Sequence, residues 1–214
     1  MKVLISGTSR GIGLATAKKF LSSGHEVYGI DIRESQINDD NYHHIQKDIR
    51  DENLPSLDVD IIISNAGVQD EETALDVNLK GNIHFVEKYL GSKNLKTILF
   101  TASSSARNGA EFPLYSASKG GLVSYMKNLA IRLANRRVLV NSISPGGVVT
   151  PLNEHILKDE KLYEAVKKET LLDKWASAEE IADWAYFLTV INKSMTGEDI
   201  LIDNGEILKS NFIW

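Results

Sequence analysis

Residues 2–15 read Lys2-Val3-Leu4-Ile5-Ser6-Gly7-Thr8-Ser9-Arg10-Gly11-Ile12-Gly13-Leu14-Ala15. The apolar run near the start of this stretch predicts a buried strand, and the helical periodicity that begins at Leu14 predicts a helix soon after it. Glycines between a strand and a helix let the backbone approach a pyrophosphate, and the helix N-terminus offers it unpaired N–H groups. The stretch therefore predicts a dinucleotide-binding turn, with glycines in the spacing G-x-x-x-G-x-G.

A second strand is predicted over residues 26–30, and Asp31 follows it directly. An acidic residue at a strand end, about 20 residues beyond a glycine turn, is placed to bind ribose hydroxyls. Its charge would also repel a 2′-phosphate, so Asp31 favours NAD over NADP as the cofactor. Arg10 and Arg33 favour NADP, because either guanidinium could pair with that phosphate.

Tyr115 and Lys119 lie four residues apart in the run Leu114-Tyr115-Ser116-Ala117-Ser118-Lys119. On a helix this spacing places both side chains on one face, one turn apart. A phenol has an ordinary pKa of about 10, and a nearby ammonium group lowers it. The pair therefore predicts a group that gives or takes a proton near neutral pH.

Composition restricts the class of protein. The net charge of the 214 residues is −5, which gives no indication of a nucleic-acid partner. The chain has no cysteine, which excludes disulfides and thiolate sites, and its five histidines show no ligand spacing, so no metal site is expected. Since it has neither a signal-peptide pattern nor an apolar run of about 18 residues, we expect a soluble cytoplasmic protein without membrane contacts.

Predicted strands and helices alternate up to about residue 144. This order predicts an α/β fold of the Rossmann type, in which a doubly wound parallel sheet carries helices on both faces and residues 1–214 form a single domain. Residues 51–58 are predicted to be a short connection. Residues 152–175 are charged and helical in character, and a further helix over 179–190 and a last strand over 199–202 are predicted.

Further motifs follow in order along the chain. They are Lys47-Asp48-Ile49, Ser64-Asn65-Ala66-Gly67, Asp76-Val77-Asn78-Leu79, Thr101-Ala102-Ser103-Ser104, Ser144-Pro145-Gly146-Gly147-Val148-Val149-Thr150, Thr196-Gly197 and Ile202-Asp203-Asn204-Gly205. Together with the glycine turn and the Tyr115/Lys119 pair, these motifs resemble the short-chain dehydrogenase/reductase family in its compact, single-domain form. The likeness runs nearly from end to end, and the joint order of the motifs makes it specific.

The resemblance implies the catalytic residues Asn78, Ser104, Tyr115 and Lys119. The choice of serine stays open, because matching the strand end favours Ser104 whereas counting back from Tyr115 favours Ser103. We prefer Ser104, with Ser103 as the alternative. The resemblance also implies that Asn78 anchors a water molecule linking Lys119 to solvent.

The resemblance implies a dinucleotide site. In this site Asp48 and Ile49 contact the adenine, and the segment that follows Pro145 binds the carboxamide of the nicotinamide. It also implies that residues 152–175 form a short substrate lid. The expected cofactor-binding residues are Gly7, Ser9, Arg10, Gly11, Ile12, Gly13, Asp31, Asp48, Ile49, Asn65, Ala66, Gly67, Tyr115, Lys119, Pro145, Gly146, Val148 and Thr150.

The implied activity is hydride transfer between NAD(H) and a small alcohol or ketone, with Tyr115 as the general acid and base. One alternative is an NADPH-dependent carbonyl or 3-oxoacyl reductase, against which Asp31 argues. The other is a non-catalytic dinucleotide-binding sensor, against which the intact serine, tyrosine and lysine argue.

A homodimer or homotetramer is expected, because family members pair the helices predicted here over 76–92 and 114–135. The apolar tail, residues 207–214, is expected to be covered by another subunit.

Two departures from the family pattern stand out. The segment between Gly67 and Asn78 is short, and residues 68–75 leave room for little more than a turn where the family has a longer segment with a helix. Asn204 stands where the family has glycine, and we expect it to adopt a positive φ, which asparagine tolerates better than most residues.

Overall fold

The computed structural model describes residues 1–110 and 112–209. Its strands are β1 (Lys2–Ser6), β2 (Glu26–Asp31), β3 (Tyr42–Gln46), β4 (Ile61–Ser64), β5 (Thr97–Thr101), β6 (Leu139–Pro145), β7 (Val148–Val149), β8 (Ala176–Ser177) and β9 (Asp199–Ile202). Seven of them form one parallel sheet in the order β3-β2-β1-β4-β5-β6-β9. Strands β7 and β8 pair in parallel as a separate ribbon.

Helices connect these strands. The α-helices are α1 (Gly11–Ser22), α2 (Asn82–Tyr89), α3 (Ser105–Asn108), α4 (Pro113–Leu133), α5 (Glu154–Leu157), α6 (Glu160–Lys167) and α7 (Ala178–Tyr186). Wider π-helical turns occupy Leu75–Gly81, directly before α2, and Phe187–Ile191, directly after α7. Short 3₁₀ turns occupy Ala134–Arg136 and Pro151–Asn153.

Both faces of the sheet are buried, which explains why its strands read as continuous apolar runs. Side chains alternate between the faces along each strand. Leu4 of β1 belongs to the core beneath α2 and α4, together with Phe85 and Leu122. Its neighbour Ile5 belongs to the opposite core, beneath α1 and α7, with Phe20. The doubly wound α/β fold predicted from the sequence is thereby confirmed.

The direction of winding reverses at β1, which lies between β2 and β4 in the sheet. In open parallel sheets, ligands bind at the carboxyl ends of the strands where this reversal occurs. The glycine turn after β1 and the Asn65 loop after β4 meet at that edge, since the amide nitrogen of Asn65 lies 3.2 Å from the backbone oxygen of Ser6. The fold thus opens a cleft next to the predicted dinucleotide turn.

Residues 51–58 contain neither helix nor strand, as expected. Asn204 adopts a φ of +54°, also as expected. Residues 65–73 form loop and turn, and the helical chain begins only at Ala74.

Most of the apolar tail, residues 210–214, lies outside the described residues. Within the described part of the chain, no helix combines the length and the apolar character needed to cross a bilayer.

Candidate active site

The glycine turn leaves no room for a side chain where Gly13 packs against Gly7. A Cβ atom on Gly13 would lie 2.0 Å from the backbone oxygen of Gly7, and Gly7 and Gly11 have φ values of +76° and +55°. Arg10 precedes α1, and within the described residues its side chain makes no capping hydrogen bond. The first-turn N–H groups of a helix that lacks a side-chain cap can bind an anion. This cradle fits the pyrophosphate of a dinucleotide.

Asn65 and Ser6 hold the glycine turn in place from the neighbouring strand. The hydroxyl of Ser6 accepts hydrogen bonds from the backbone N–H groups of Asn65 and Ala66, at 2.9 and 3.0 Å. The amide nitrogen of Asn65 donates to the Ser6 backbone oxygen and would touch a Cβ atom at Gly13. Asn65 and Ala66 therefore support the turn, and both also line the cleft.

Asp31 ends β2 and faces the same cleft. One carboxylate oxygen accepts a hydrogen bond from the backbone N–H of Ser9 and the other from that of Arg33, both at 2.9 Å. A carboxylate has about four acceptor positions, so two remain for ribose hydroxyls. Arg10 and Arg33 line this end of the cleft as well.

Asp48 and Ile49, for which an adenine contact is predicted, line one wall of the cleft. Arg50 binds the Asp48 carboxylate through two side-chain nitrogens, at 3.0 and 2.6 Å. These hydrogen bonds hold the pKa of Asp48 below its ordinary value. Asp48 therefore stays ionised and fixed in direction at this wall.

Tyr115 and Lys119 lie in the first two turns of α4, and both are buried. The Nζ atom of Lys119 lies 5.7 Å from the centre of the Tyr115 ring. It donates a hydrogen bond to the backbone oxygen of Thr101, at the end of β5. Both side chains line the cleft, so the structure brings the predicted pair together.

Asn78 lies next to this pair, within the π-helical turn. A Cβ atom on Gly67 would meet the Asn78 Oδ1 atom at 3.2 Å and the Lys119 Nζ atom at 3.5 Å, so both side chains approach the same glycine. Asn78 is fully buried and brackets Val68: its Oδ1 accepts from the Val68 N–H and its Nδ2 donates to the Val68 oxygen, both at 2.8 Å.

The two candidate serines differ in their position relative to the cleft. Ser103 lines the cleft together with Tyr115, whereas Ser104 is not among the described lining residues. The Ser104 backbone N–H donates to the oxygen of Pro145, and the Ser103 hydroxyl accepts from the N–H of Ser105 at 3.2 Å. This placement favours Ser103, the alternative that the sequence left open, and the choice remains a prediction.

The cleft encloses about 730 Å³ and continues from Asp31 past Tyr115 to the lid. Four of the predicted site residues are not among the described residues that line it: Ser9, Gly13, Asn78 and Ser104. The other predicted residues line it, including Gly7, Gly11, Ile12, Gly67, Pro145, Gly146, Val148 and Thr150.

Several residues that line the cleft at or near the lid are not among the predicted site residues. They are Gln69, Phe112, Glu169, Trp175 and Glu206. Burial raises the pKa of Glu206, the N–H of Gly147 partly offsets this, and the nearby Asp203 and Glu169 raise it further. Most of these residues are far apart in the sequence, and they come together only through the tertiary fold. Among residues 1–110 and 112–209, no group of three or more acidic or histidine side chains is placed to hold a metal ion.

Known proteins resemble this chain over most of its length. A family model described as enoyl-(acyl carrier protein) reductase matches residues 58–206. The uncharacterized oxidoreductase YxbG of Bacillus subtilis (strain 168) is 31% identical over 94% of this chain and 89% of its own length. Glucose 1-dehydrogenase of Gluconobacter oxydans (strain 621H) is 27% identical, covering 99% and 93%. A solved structure of 4-hydroxyisoleucine dehydrogenase complexed with NADH has a TM-score of 0.86 at 27% identity, covering 98% of this chain and 99% of that one.

Proposed function

The chain belongs to the short-chain dehydrogenase/reductase family, and on that premise we propose that it transfers a hydride between NAD(H) and a small alcohol or ketone. One observation carries the proposal. A buried Tyr115/Lys119 pair and a serine hydroxyl line the same cleft as a glycine turn and Asp31. Such a cleft holds a dinucleotide and a proton-transfer group side by side.

Each of these residues has a part in the reaction. Tyr115 gives a proton to the substrate oxygen during reduction and removes it during oxidation. The Lys119 ammonium stabilises the negative charge on Tyr115 after its proton has left. Ser103 donates a hydrogen bond to the substrate oxygen, where negative charge develops. The dinucleotide, when bound, supplies or accepts the hydride, and the glycine turn and Asp31 would hold it.

Asp31 supports NAD as the cofactor, because its ionised carboxylate would face a 2′-phosphate at close range. The neighbour with 27% identity was solved with NADH. Arg10 and Arg33 line the same end of the cleft and make NADP the second candidate. The assignment is tested by titrating the protein with NADH and with NADPH while following nicotinamide fluorescence. Tighter binding of NADPH would overturn it.

The substrate class is tested by a screen with the preferred cofactor. D-glucose is one probe, since a relative is named glucose 1-dehydrogenase, and 2,3-butanedione is a small diketone for the opposite direction. Turnover that disappears in Tyr115→Phe supports the proposal. Turnover that persists in this variant contradicts the role of Tyr115, and absence of turnover across a broad alcohol and ketone screen contradicts the activity.

A homodimer or homotetramer is part of the proposal. Helix α4, which family members use for subunit contacts, exposes apolar side chains, including 77% of Ile131. Light scattering coupled to gel filtration measures the mass, and a monomer at micromolar concentration would contradict this part.

A further inference from the structure

The N-terminus of helix α4 is capped by a residue that is distant in sequence. The helix begins at Pro113, and Phe112 before it has no polar side chain. Instead, the carboxylate of Glu71 accepts a hydrogen bond from the backbone N–H of Leu114 and another from that of Tyr115, both at 3.0 Å. Helix N-termini leave such groups unsatisfied and attract negative charge. One of the two N–H groups belongs to the proposed catalytic tyrosine itself.

The loop that carries Glu71 is fixed on both sides of it. Asn78 brackets Val68 at its start through two hydrogen bonds of 2.8 Å. Asp70 accepts hydrogen bonds from the backbone N–H and the hydroxyl of Thr73, at 3.1 and 2.6 Å. The Glu71 backbone therefore has a defined position, and its half-buried side chain reaches α4 from there.

The same loop also borders the substrate end of the cleft. Val68, Gln69 and Thr73 line it, and the Gln69 amide lies 3.4 Å from the Asn153 Oδ1 atom at the start of the lid. The loop thus contacts the lid, the cleft and the first turn of α4. Its contact with α4 joins a carboxylate to backbone N–H groups. These groups are part of the helix and are therefore less mobile than the ends of long surface side chains.

On the basis of the function proposed above, we propose that Glu71 is a positioning residue for Tyr115. Its charge-assisted hydrogen bonds fix the first turn of α4, and that turn sets where the Tyr115 hydroxyl stands in the cleft. Proton transfer requires its partners to be within hydrogen-bonding reach. A displacement of 1 Å can lower a rate by roughly 100-fold. Loss of the carboxylate therefore lowers turnover without touching the substrate or the dinucleotide site.

The test compares Glu71→Ala and Glu71→Gln with Glu72→Ala, which removes an exposed neighbouring carboxylate from the same loop. NADH titration counts the intact sites, and NADH oxidation with 2,3-butanedione, or with the ketone found in the screen, gives kcat per site. Hydrogen exchange of the peptide covering residues 113–119 reports on the first turn of α4.

We expect Glu71→Ala to lower kcat per NADH-binding site at least about tenfold and to accelerate exchange in that peptide. The NADH dissociation constant should stay close to its original value. The kcat of Glu71→Gln should lie between those of Glu71→Ala and the unmodified chain, because its amide offers one acceptor atom. Glu72→Ala should behave as the unmodified chain does.

A role limited to stability would lower the melting temperature or the number of NADH-binding sites but leave kcat per site unchanged, and that result would overturn the inference. Unchanged exchange in Glu71→Ala would overturn it as well. Failure of the proposed function looks different. In that case the unmodified chain itself shows no NADH-dependent turnover, or Tyr115→Phe keeps it.

Discussion

The Nζ atom of Lys119 lies 2.9 Å from the backbone oxygen of Thr101 and donates a hydrogen bond to it. This bond joins helix α4 to the end of strand β5, so the ammonium is anchored by the sheet rather than by a mobile side chain. Tyr115, one turn earlier on the helix, is thereby held between a fixed positive charge and the cleft. The proton-transfer group depends on this arrangement.

Replacement of Tyr115 by phenylalanine removes the hydroxyl and keeps the ring. We expect kcat to fall by roughly 10²- to 10⁴-fold, the usual contribution of general acid–base catalysis, while NADH binding survives because the glycine turn is untouched. Steady-state kinetics and NADH titration measure the two effects. Tyr125→Phe is the matched control, since this tyrosine lies on the same helix but its hydroxyl binds Glu87, at 2.7 Å.

Two single substitutions distinguish which of the two serines, Ser103 or Ser104, acts on the substrate. Ser103→Ala removes a hydroxyl from the cleft and should lower kcat about 10²-fold, the size expected for one donor to a developing oxyanion. Ser104→Ala removes one that does not line the cleft and should leave kcat nearly unchanged. The opposite result would return the role to Ser104, the serine first preferred from the sequence.

Asp31→Ala removes the acceptor for ribose hydroxyls and also two hydrogen bonds to the backbone of Ser9 and Arg33. We expect NADH affinity to fall roughly tenfold or more, since hydrogen bonds to charged groups contribute about 1.5–3 kcal/mol. NADPH affinity should fall less or rise, because a repulsive charge has gone. Fluorescence titration with both cofactors decides, and the exposed Asp40→Ala is the control. An equal loss for both cofactors would show that Asp31 only shapes the turn.

Gly13→Ala would place a Cβ atom 2.0 Å from the backbone oxygen of Gly7. The turn has to open to relieve this contact, and overpacking of this kind costs about 1–3 kcal/mol of folding free energy. We expect a lower melting temperature together with loss of NADH binding. Gly91→Ala makes the same chemical change at a position where, beyond its chain neighbours, no atom of the described residues lies within 4 Å of the new Cβ. If Gly13→Ala matched this control, the close approach would have no consequence.

The raised pKa of Glu206 predicts a dependence of stability on pH. An unfolded glutamate titrates near 4.5, so below that pH both states hold the proton and the folded chain bears no penalty. As the pH rises through the higher folded-state pKa, the unfolded chain is favoured. Glu206→Gln should therefore stabilise the protein at pH 8 and lose this advantage towards pH 4. Thermal unfolding across this range measures it, with the exposed Glu34→Gln as the control.

Local pattern was sufficient for the parts of the site that lie close in sequence. The glycine turn, Asp31 and the Tyr115/Lys119 pair each depend on a strand end or a helical spacing, and the structure places them as expected. Ser103 and Ser104 could not be separated in this way. Neighbouring residues differ only in where the chain turns after β5, and the bond from the Ser104 N–H to Pro145 fixes that turn.

The cap from Glu71 could not be predicted for a different reason. Glu71 and Tyr115 are 44 residues apart, and the short segment between Gly67 and Asn78 looked like a missing helix rather than a contact. Only packing shows that it reaches α4. The lining residues near the lid, such as Trp175 and Glu206, share this property, because their neighbours come from strands and loops that are remote in sequence.

The π-helical turn Leu75–Gly81 places Asn78 by means of one extra residue per turn. Deleting a single residue here would restore an ordinary helix but rotate Asn78 by about 100°, away from Val68 and Lys119. Substitutions in this turn leave the register intact, whereas changes of length do not. We therefore expect the site to tolerate substitutions at the exposed Asp76 and Lys80 of this stretch, whereas the gain or loss of a single residue would displace Asn78.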